Sequence, residues 1–560
     1  MPESNYDFVI VGSGAGGLAA AIKAKLLGLR PLLLEKTPFV GGSSMMSGGI
    51  LWLPNNPVMK RAGVTDSREA SVRYLDNFVS AGSAYSTPAR REAFVDTIEE
   101  FVTTMEGQGM KYRFCRGYAD YYAHLPGGHA VGRALEAELF NLNRLGNWKA
   151  RSRMPSFPVP IRTSEFGKVM CMGVTLEGKA TVARVAGRYA WSKLTHQVLS
   201  GAGGSLQGRM LEIALRLGIE IWTDAGFVDF DTRNGRVEGV HIRHEGRERT
   251  IAAARGVLIS AGGFAHNSAM RNQYQRHPIS SQWTFSNPGD TGEAIEAMAR
   301  AGAGLALMDE AWWVLNWKHE VDANGISNDE NPYIEMGRHW QLLPELMKPH
   351  TILVDQGGSR FVNETTSYME IGRSIYVRNA TTPAIPAWLI MDIRARKRYF
   401  FASQPPGKIP EKWIDSGWVK VDDTLAGLAR RCGIDPAGLE TGVARYNAAC
   451  DTGVDADFGR GSNAYHRYYG DPTKANPCMG PIAQPPFWAA ALYPGDVGTC
   501  GGSVADERAH VLRPDGTIIE GLYAAGNCTA SFCGPYYVGA GQSIAASSIF
   551  GYIAAKQAAQ

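Results

Sequence analysis

The chain opens on a solidly apolar run, Phe8-Val9-Ile10-Val11, that breaks into glycines at Gly12, Gly14 and Gly17. An alanine- and leucine-rich helical stretch follows. A second apolar run, Leu32-Leu33-Leu34, ends on Glu35. Runs without polar alternation predict strands buried on both faces, and a helix between two of them predicts a parallel βαβ unit. The same form recurs twice. Val257-Leu258-Ile259 runs into Gly262 and Gly263, and Leu522-Tyr523-Ala524-Ala525 runs into Gly526. Residues 208–230 predict a helix around Met210-Leu215 and then a strand at Glu220-Ile221-Trp222, and Asn234-Gly235 predicts a hairpin turn. A last helix is predicted from Gln542 to Gln557, where Ala545, Ala546, Ser547 and Ser548 allow close packing.

Gly12, Gly14 and Gly17 stand at G-x-G-x-x-G spacing. Gly12 permits the sharp turn out of the strand, Gly14 leaves room for a pyrophosphate, and Gly17 lets the helix pack close on the strand. Amide N–H groups at the helix start favour an anion. Glu35 falls about 20 residues on, where a carboxylate accepts from ribose hydroxyls. Strand, turn, helix, strand and acid in this order predict an adenine-dinucleotide site. Residues 41–49, rich in glycine and serine, read as a loop lying against that cofactor. No second G-x-G-x-x-G unit follows, which argues against a domain for NAD(P)H.

At 560 residues the chain exceeds one ordinary core, so two or more domains are expected. Dinucleotide features sit at both ends. The middle carries aromatics such as Trp312, Trp313 and Trp317, proline-rich connections and long amphipathic segments. We therefore expect an α/β fold: a Rossmann-like dinucleotide domain at 1–309 and 499–560, interrupted by an inserted α+β substrate domain at 310–498. Apolar content of 44% and charged content of 20% are those of a globular protein, and a net charge of +3 argues against nucleic-acid binding. The eight cysteines are scattered and none forms C-x-x-C, so zinc and thioredoxin chemistry find no support and no metal is expected. Such scatter fits reduced thiols in a cytoplasmic enzyme. The N-terminus lacks a basic region ahead of its apolar run, and no stretch of about 18 apolar residues is present; neither a signal peptide nor a membrane span is read.

Residues 141–196 hold ten lysines and arginines against Glu165 and Glu177 alone, a surplus of eight in a chain whose total is +3. Trp148, Phe157, Phe166, Tyr189 and Trp191 are interspersed. A solvated loop or a subunit contact is the plain reading. Basic and aromatic residues together also suit peripheral contact with an anionic membrane.

Several motifs together resemble the 3-ketosteroid Δ1-dehydrogenases, FAD flavoproteins of the fumarate-reductase-like group. They are Val-Gly-Ser-Gly-Ala-Gly-Gly at 11–17, Leu-Glu-Lys-Thr at 34–37, Gly-Gly-Ser-Ser at 41–44, Asp120-Tyr121-Tyr122, Ala261-Gly262-Gly263, Arg360-Phe361-Val362-Asn363-Glu364 with Tyr368, residues 464–472, Tyr523-Ala524-Ala525-Gly526-Asn527 and Tyr537-Val538-Gly539-Ala540-Gly541. The resemblance covers nearly the whole chain and fades over 141–200. It implies non-covalent FAD and oxidation of the C1–C2 bond of a 3-ketosteroid, with hydride passing from C1 to flavin N5. It implies that Tyr368 removes the C2 proton, that Tyr537 and the Gly541 N–H polarise the C3 carbonyl, and that Tyr121 hydrogen-bonds the base. For FAD it implies contacts from Gly12, Ser13, Gly14, Ala15, Gly16 and Gly17 in the first turn, and from Glu35 and Lys36. Gly42, Ser43, Ser44, Ser47, Gly48 and Gly49 follow, then Val228, Ala261, Gly262 and Asp290, and at the far end Gly526, Asn527, Gly541, Ser543 and Ile544. An external acceptor, a quinone or another, takes the electrons.

The residue types suit that chemistry. A C–H beside a ketone becomes acidic only when the growing enolate oxygen is stabilised, and a phenol with a preorganised amide does this as an oxyanion hole. A tyrosine base, whose ordinary pKa is near 10, needs a neighbouring hydroxyl or a positive field. Two departures from the family bear on the site. Tyr537-Val538-Gly539 stands where Tyr-Pro-Gly is usual, and Cys500 replaces a lysine in Gly498-Thr499-Cys500-Gly501-Gly502. Rival readings are Δ4 desaturation, a smaller cyclic ketone, or a flavin-binding electron carrier without turnover.

Overall fold

The computed structural model describes residues 6–80, 82–153, 158–318, 339–341, 343–402, 404–407 and 409–560. The first five residues and Phe157 lie outside the described residues. Strand β1 (Tyr6–Val11), helix α1 (Ala15–Leu26) and strand β2 (Pro31–Leu34) form the expected βαβ unit. β1 and β2 pair in parallel, Val9 opposite Leu32 and Val11 opposite Leu34. Every residue of β2 is buried, as its unbroken apolar run requires. The loop read at 41–49 is corrected in part: Gly42–Met46 form a one-turn helix, α2, entered through Gly41 at φ 110° and anchored by buried Met45.

Two helices, α3 (Thr163–Met170) and α4 (Leu176–Leu194), occupy the basic segment and pack on one another. Part of its surplus charge is met by carboxylates. Arg144 pairs with Glu212, Arg162 with Glu138, Lys168 with Glu177 and Arg188 with Glu165. Helix α5 (Ala202–Arg216) leads into β3 (Glu220–Trp222), which pairs in parallel with β2. The hairpin of β4 (Ala225–Arg233) and β5 (Arg236–His244) turns at Asn234 and Gly235, both at positive φ, the geometry that dipeptide favours. Strand β6 (Arg247–Ile259) pairs antiparallel with β5 through its first half. Its second half joins β1 in parallel, Val257 opposite Val9.

A second sheet follows, built on β7 (Ala311–Lys318), β8 (Thr351–Val354), β9 (Ala387–Asp392), β10 (Val419–Asp422) and the long β11 (Phe487–Thr499), with the short strand His339–Gln341 pairing on β7 at its edge. β11 pairs antiparallel with β7, β9 and β10. Two helices of this region reach the cavity described below: α6 (Leu343–Leu346) and α7 (Tyr368–Asn379). The chain then returns to the first sheet with β12 (His510–Leu512) and β13 (Ile518–Ala524), the latter parallel to β6, giving the order β12-β13-β6-β1-β2-β3. Helix α8 (Gln542–Ala558) closes the chain and packs on α1. Their backbones meet at two glycines: a Cβ on Gly551 would stand 2.3 Å from the Gly16 carbonyl oxygen.

Candidate active site

A cavity of about 1760 Å³ opens where β1, β2, β6 and β13 end, the place where parallel sheets bind ligands. It is larger than an ordinary small-molecule pocket of up to ~1,000 Å³, so it has room for a dinucleotide and a second ligand. Gly12, at φ 105°, turns the chain so closely against β6 that a Cβ would lie 2.2 Å from the Ser260 carbonyl oxygen. At Gly14 a Cβ would meet only Ser44 Oγ at 3.6 Å, so that position is open toward the cavity. Ser13 and Ala15 line the cavity beside them. Gly16 and Gly17 do not. Their missing side chains serve packing, since a Cβ on Gly17 would lie 1.9 Å from the Gly12 carbonyl oxygen and one on Gly16 2.5 Å from Ser547 Oγ.

Glu35 is buried at the end of β2 and lines the cavity. Its Oε2 accepts from Ser13 Oγ at 2.5 Å, and its Oε1 accepts from the N–H and Oγ1 of Thr37 at 3.0 and 2.9 Å. Helix α2 brings two serines to the cavity wall. Ser44 Oγ accepts from the Ala15 N–H at 3.2 Å; Ser43 Oγ accepts from the Asn287 N–H at 2.9 Å and donates to Asp290 Oδ2 at 3.3 Å. Burial pushes the Asp290 carboxyl up to about 7, against the opposing effect of Lys36. Lys36 Nζ itself bonds Thr291 and Glu293 at 2.7 and 2.6 Å. Gly42, Ser47, Gly48, Gly49, Ala261, Gly262, Gly526, Asn527, Ser543 and Ile544 line the same cavity. Val228 is not on the cavity wall: its side chain is 41% exposed, and its strand neighbours Ala225 and Phe227 line the cavity.

These features fit FAD. Gly14 leaves the cavity open beside the N–H groups that start α1, where a pyrophosphate would sit, and Glu35 offers a carboxylate to a ribose. The N-terminus of α8 meets the cavity at Gly541, Ser543 and Ile544, so its positive end faces the space a flavin would occupy.

Tyr121, Tyr368 and Tyr537 come together in this cavity. Ring centroids lie 5.0 Å apart for Tyr368 and Tyr537, 5.7 Å for Tyr121 and Tyr368, and 5.8 Å for Tyr121 and Tyr537. Tyr368 is the first residue of α7, Tyr537 stands in the turn before α8, and Tyr121 is held by its N–H, which donates to the Val538 carbonyl oxygen at 3.0 Å. Tyr122 and Tyr536, adjacent in sequence, face away and pack on Phe78. Gly541 is at φ 82°, and a Cβ there would lie 2.0 Å from the Ile50 carbonyl oxygen. Among the described residues its N–H has no protein acceptor. Burial holds the phenols of Tyr368 and Tyr121 well above the ordinary tyrosine range; the neighbouring tyrosines push Tyr368 the same way, whereas hydrogen bonds from Tyr118 and Tyr368 partly oppose the shift at Tyr121.

Other residues of the cavity carried no local signal. Tyr118 stacks beside Tyr121 and its hydroxyl meets that of Tyr469 at 3.1 Å. Behind the wall, Trp312 donates from Nε1 to Asn527 Oδ1 at 2.9 Å and sets its ring edge-on to Tyr537 at 5.2 Å. Phe166 of α3 and Leu343 and Pro344 of α6 add apolar wall. His266, also on the wall, is lowered by burial and bonds the Ser286 carbonyl oxygen through Nε2.

A dinucleotide turn, an α8 terminus and clustered phenols on one cavity define a flavoprotein oxidoreductase. The FAD binding domain family matches residues 7–544. The 3-oxosteroid 1-dehydrogenase of Mycobacterium tuberculosis is 38% identical over 99% of this chain and 98% of its own. The crystal structure of a 3-ketosteroid Δ1-dehydrogenase from Sterolibacterium denitrificans, in complex with 1,4-androstadiene-3,17-dione, superposes with a TM-score of 0.91 at 33% identity, covering 99% of both chains. A 4-oxocyclohexanecarboxylate 2-dehydrogenase of Sinomonas cyclohexanicum is 30% identical over 99% of this chain and 93% of its own. The chain belongs to the FAD-dependent 3-oxosteroid 1-dehydrogenase family.

Proposed function

We propose that this protein introduces the C1–C2 double bond into ring A of a 3-ketosteroid. The observation that carries the reading is the convergence of two phenols, Tyr368 and Tyr537, and the Gly541 N–H on one cavity. Bound FAD supplies the acceptor for the hydride from C1. The Tyr537 hydroxyl and the Gly541 N–H donate to the C3 carbonyl oxygen and stabilise the charge that grows there as C2 loses its proton. The positive end of α8 favours the same charge. Tyr368 takes the C2 proton on its oxygen. Burial makes the deprotonated form of that phenol scarce at neutral pH, and Tyr121 stands beside it to donate a hydrogen bond to the phenolate. The hydroxyls continue through Tyr118 to Tyr469. After burial, the largest influences on the Tyr368 phenol come from other tyrosines rather than from a cation, in keeping with Cys500 in place of a lysine. Electrons leave FAD for an external acceptor, a quinone or another.

The test is product analysis after turnover of androst-4-ene-3,17-dione with an artificial acceptor. The expected product carries a new C1–C2 alkene. A product desaturated elsewhere, or turnover confined to a small cyclohexanone-type acid, overturns the reading.

We also propose that α4 rests on an anionic lipid surface. Among the described residues no helix is long and apolar enough to cross a membrane, so the contact is peripheral. Only Gly178, Thr181 and Ser192 of this helix are buried. Its opposite face carries Leu176, Ala180, Ala183, Gly187, Ala190 and Leu194 at helical spacing, with Trp191 beside them. Leu176, Trp191 and Leu194 are 84%, 61% and 74% exposed. Exposed Lys179, Arg184 and Lys193 flank that stripe, the pairing of apolar face and basic rim that interfacial helices use.

A further inference from the structure

We infer that Lys348 and Cys171 form an oxygen-bridged covalent crosslink, Nζ–O–Sγ, on exposure to dioxygen. Lys348 Nζ lies 3.0 Å from Cys171 Sγ. Its other partners are the carbonyl oxygens of Tyr469 and Gly470, and its Nζ sits 5.4 Å from the centre of the Tyr399 ring. The lysine is 1% exposed and the cysteine 3%. Lysines are almost never buried so fully without an acidic partner. Among the described residues no carboxylate pairs with this one, and a thiol occupies the place of the acid. Two reactive groups held in contact and away from water have already lost the freedom that a bond between them would cost.

The pair also joins two walls of the cavity. Cys171 directly follows α3, whose Phe166 lines it. Lys348 stands two residues beyond α6, whose Leu343 and Pro344 line it. A covalent bond here fixes both walls relative to one another.

The step balances with the lysine as its neutral amine: one thiol, one amine and one dioxygen give the bridge and one water. The S–H bond and one N–H bond break, S–O and N–O bonds form, and the two hydrogens leave with the second oxygen atom. Sulfur and nitrogen each give up two electrons, and dioxygen takes all four. Four equivalents of a thiol reductant reverse it, giving back the thiol and the amine with one water and two disulfides.

The experiment compares holoenzyme kept without oxygen with holoenzyme held in air-saturated buffer, by intact mass and peptide mapping. Exposure is expected to add one oxygen and remove two hydrogens, and to link the peptides of Cys171 and Lys348. Dithiothreitol is expected to reverse both changes, and Cys171→Ser and Lys348→Arg to prevent them. The wild-type peptide map decides the matter alone if either variant fails to fold. Unmodified peptides after exposure, a link that lacks the oxygen, or an irreversible sulfinic acid at Cys171 overturns the proposal.

Discussion

The Tyr368 and Tyr537 rings lie 5.0 Å apart on one cavity although 169 positions separate them in the chain, and each begins or precedes a helix that fixes its place. Their environments differ. Tyr368 is surrounded by other phenols, whereas the Tyr537 hydroxyl meets Ser543 Oγ at 3.1 Å, beside the N-terminus of α8. That asymmetry suits one phenol for taking a proton and the other for donating a hydrogen bond.

Tyr537→Phe is therefore expected to lower kcat for a 3-ketosteroid by roughly 10²–10³-fold, the usual cost of one oxyanion donor, with FAD still bound. Steady-state kinetics with flavin absorbance as the binding control check this. A loss confined to KM would assign Tyr537 to ground-state binding instead.

The pH profile follows from the raised phenol of Tyr368. A base whose pKa lies above the ordinary value near 10 is mostly protonated at neutral pH, and its active form grows as pH rises. We expect kcat/KM to climb from about pH 7 toward about pH 10. A flat or falling profile measured over that range in a constant-ionic-strength buffer would remove Tyr368 as the base.

Arg133 is buried between two carboxylates, bonding Asp66 and Asp120 at 2.7 Å each. Asp120 also accepts from Trp52 Nε1 and precedes Tyr121. Arg133→Met strands both acids without a counter-charge. A loss of about 3–5 kcal/mol is expected in denaturant unfolding. A loss under about 1 kcal/mol would show that the ion pairs are not what holds the Tyr121 segment.

The predicted elements and the predicted site residues were legible for different reasons. β1, α1, β2 and the Asn234-Gly235 hairpin are set by local apolar pattern and turn chemistry, and each forms where those rules place it. With 22 tyrosines in the chain, nothing local distinguishes Tyr368, and the family motif had to point to it. Tyr118 and Tyr469, joined through their hydroxyls, are brought together only by tertiary packing and leave no pattern in either neighbourhood. At 41–49 the glycine content suggested a loop, and buried Met45 with the Gly41 turn instead fixes one helical turn.

Replacing Leu176, Trp191 and Leu194 together by serine removes the exposed apolar stripe of α4 without touching its buried face. Wild-type protein is expected to co-sediment with phosphatidylserine-containing vesicles at low salt, and the triple variant to remain in the supernatant. Equal behaviour of the two proteins would contradict a lipid-facing α4.

The base assignment is open to one direct measurement: anaerobic bleaching of bound FAD by androst-4-ene-3,17-dione, followed in stopped flow for wild type and Tyr368→Phe. The account predicts rapid bleaching in the wild type and almost none in the variant, although its FAD remains bound. No bleaching in the wild type, or a variant rate within about tenfold of it, would contradict the account.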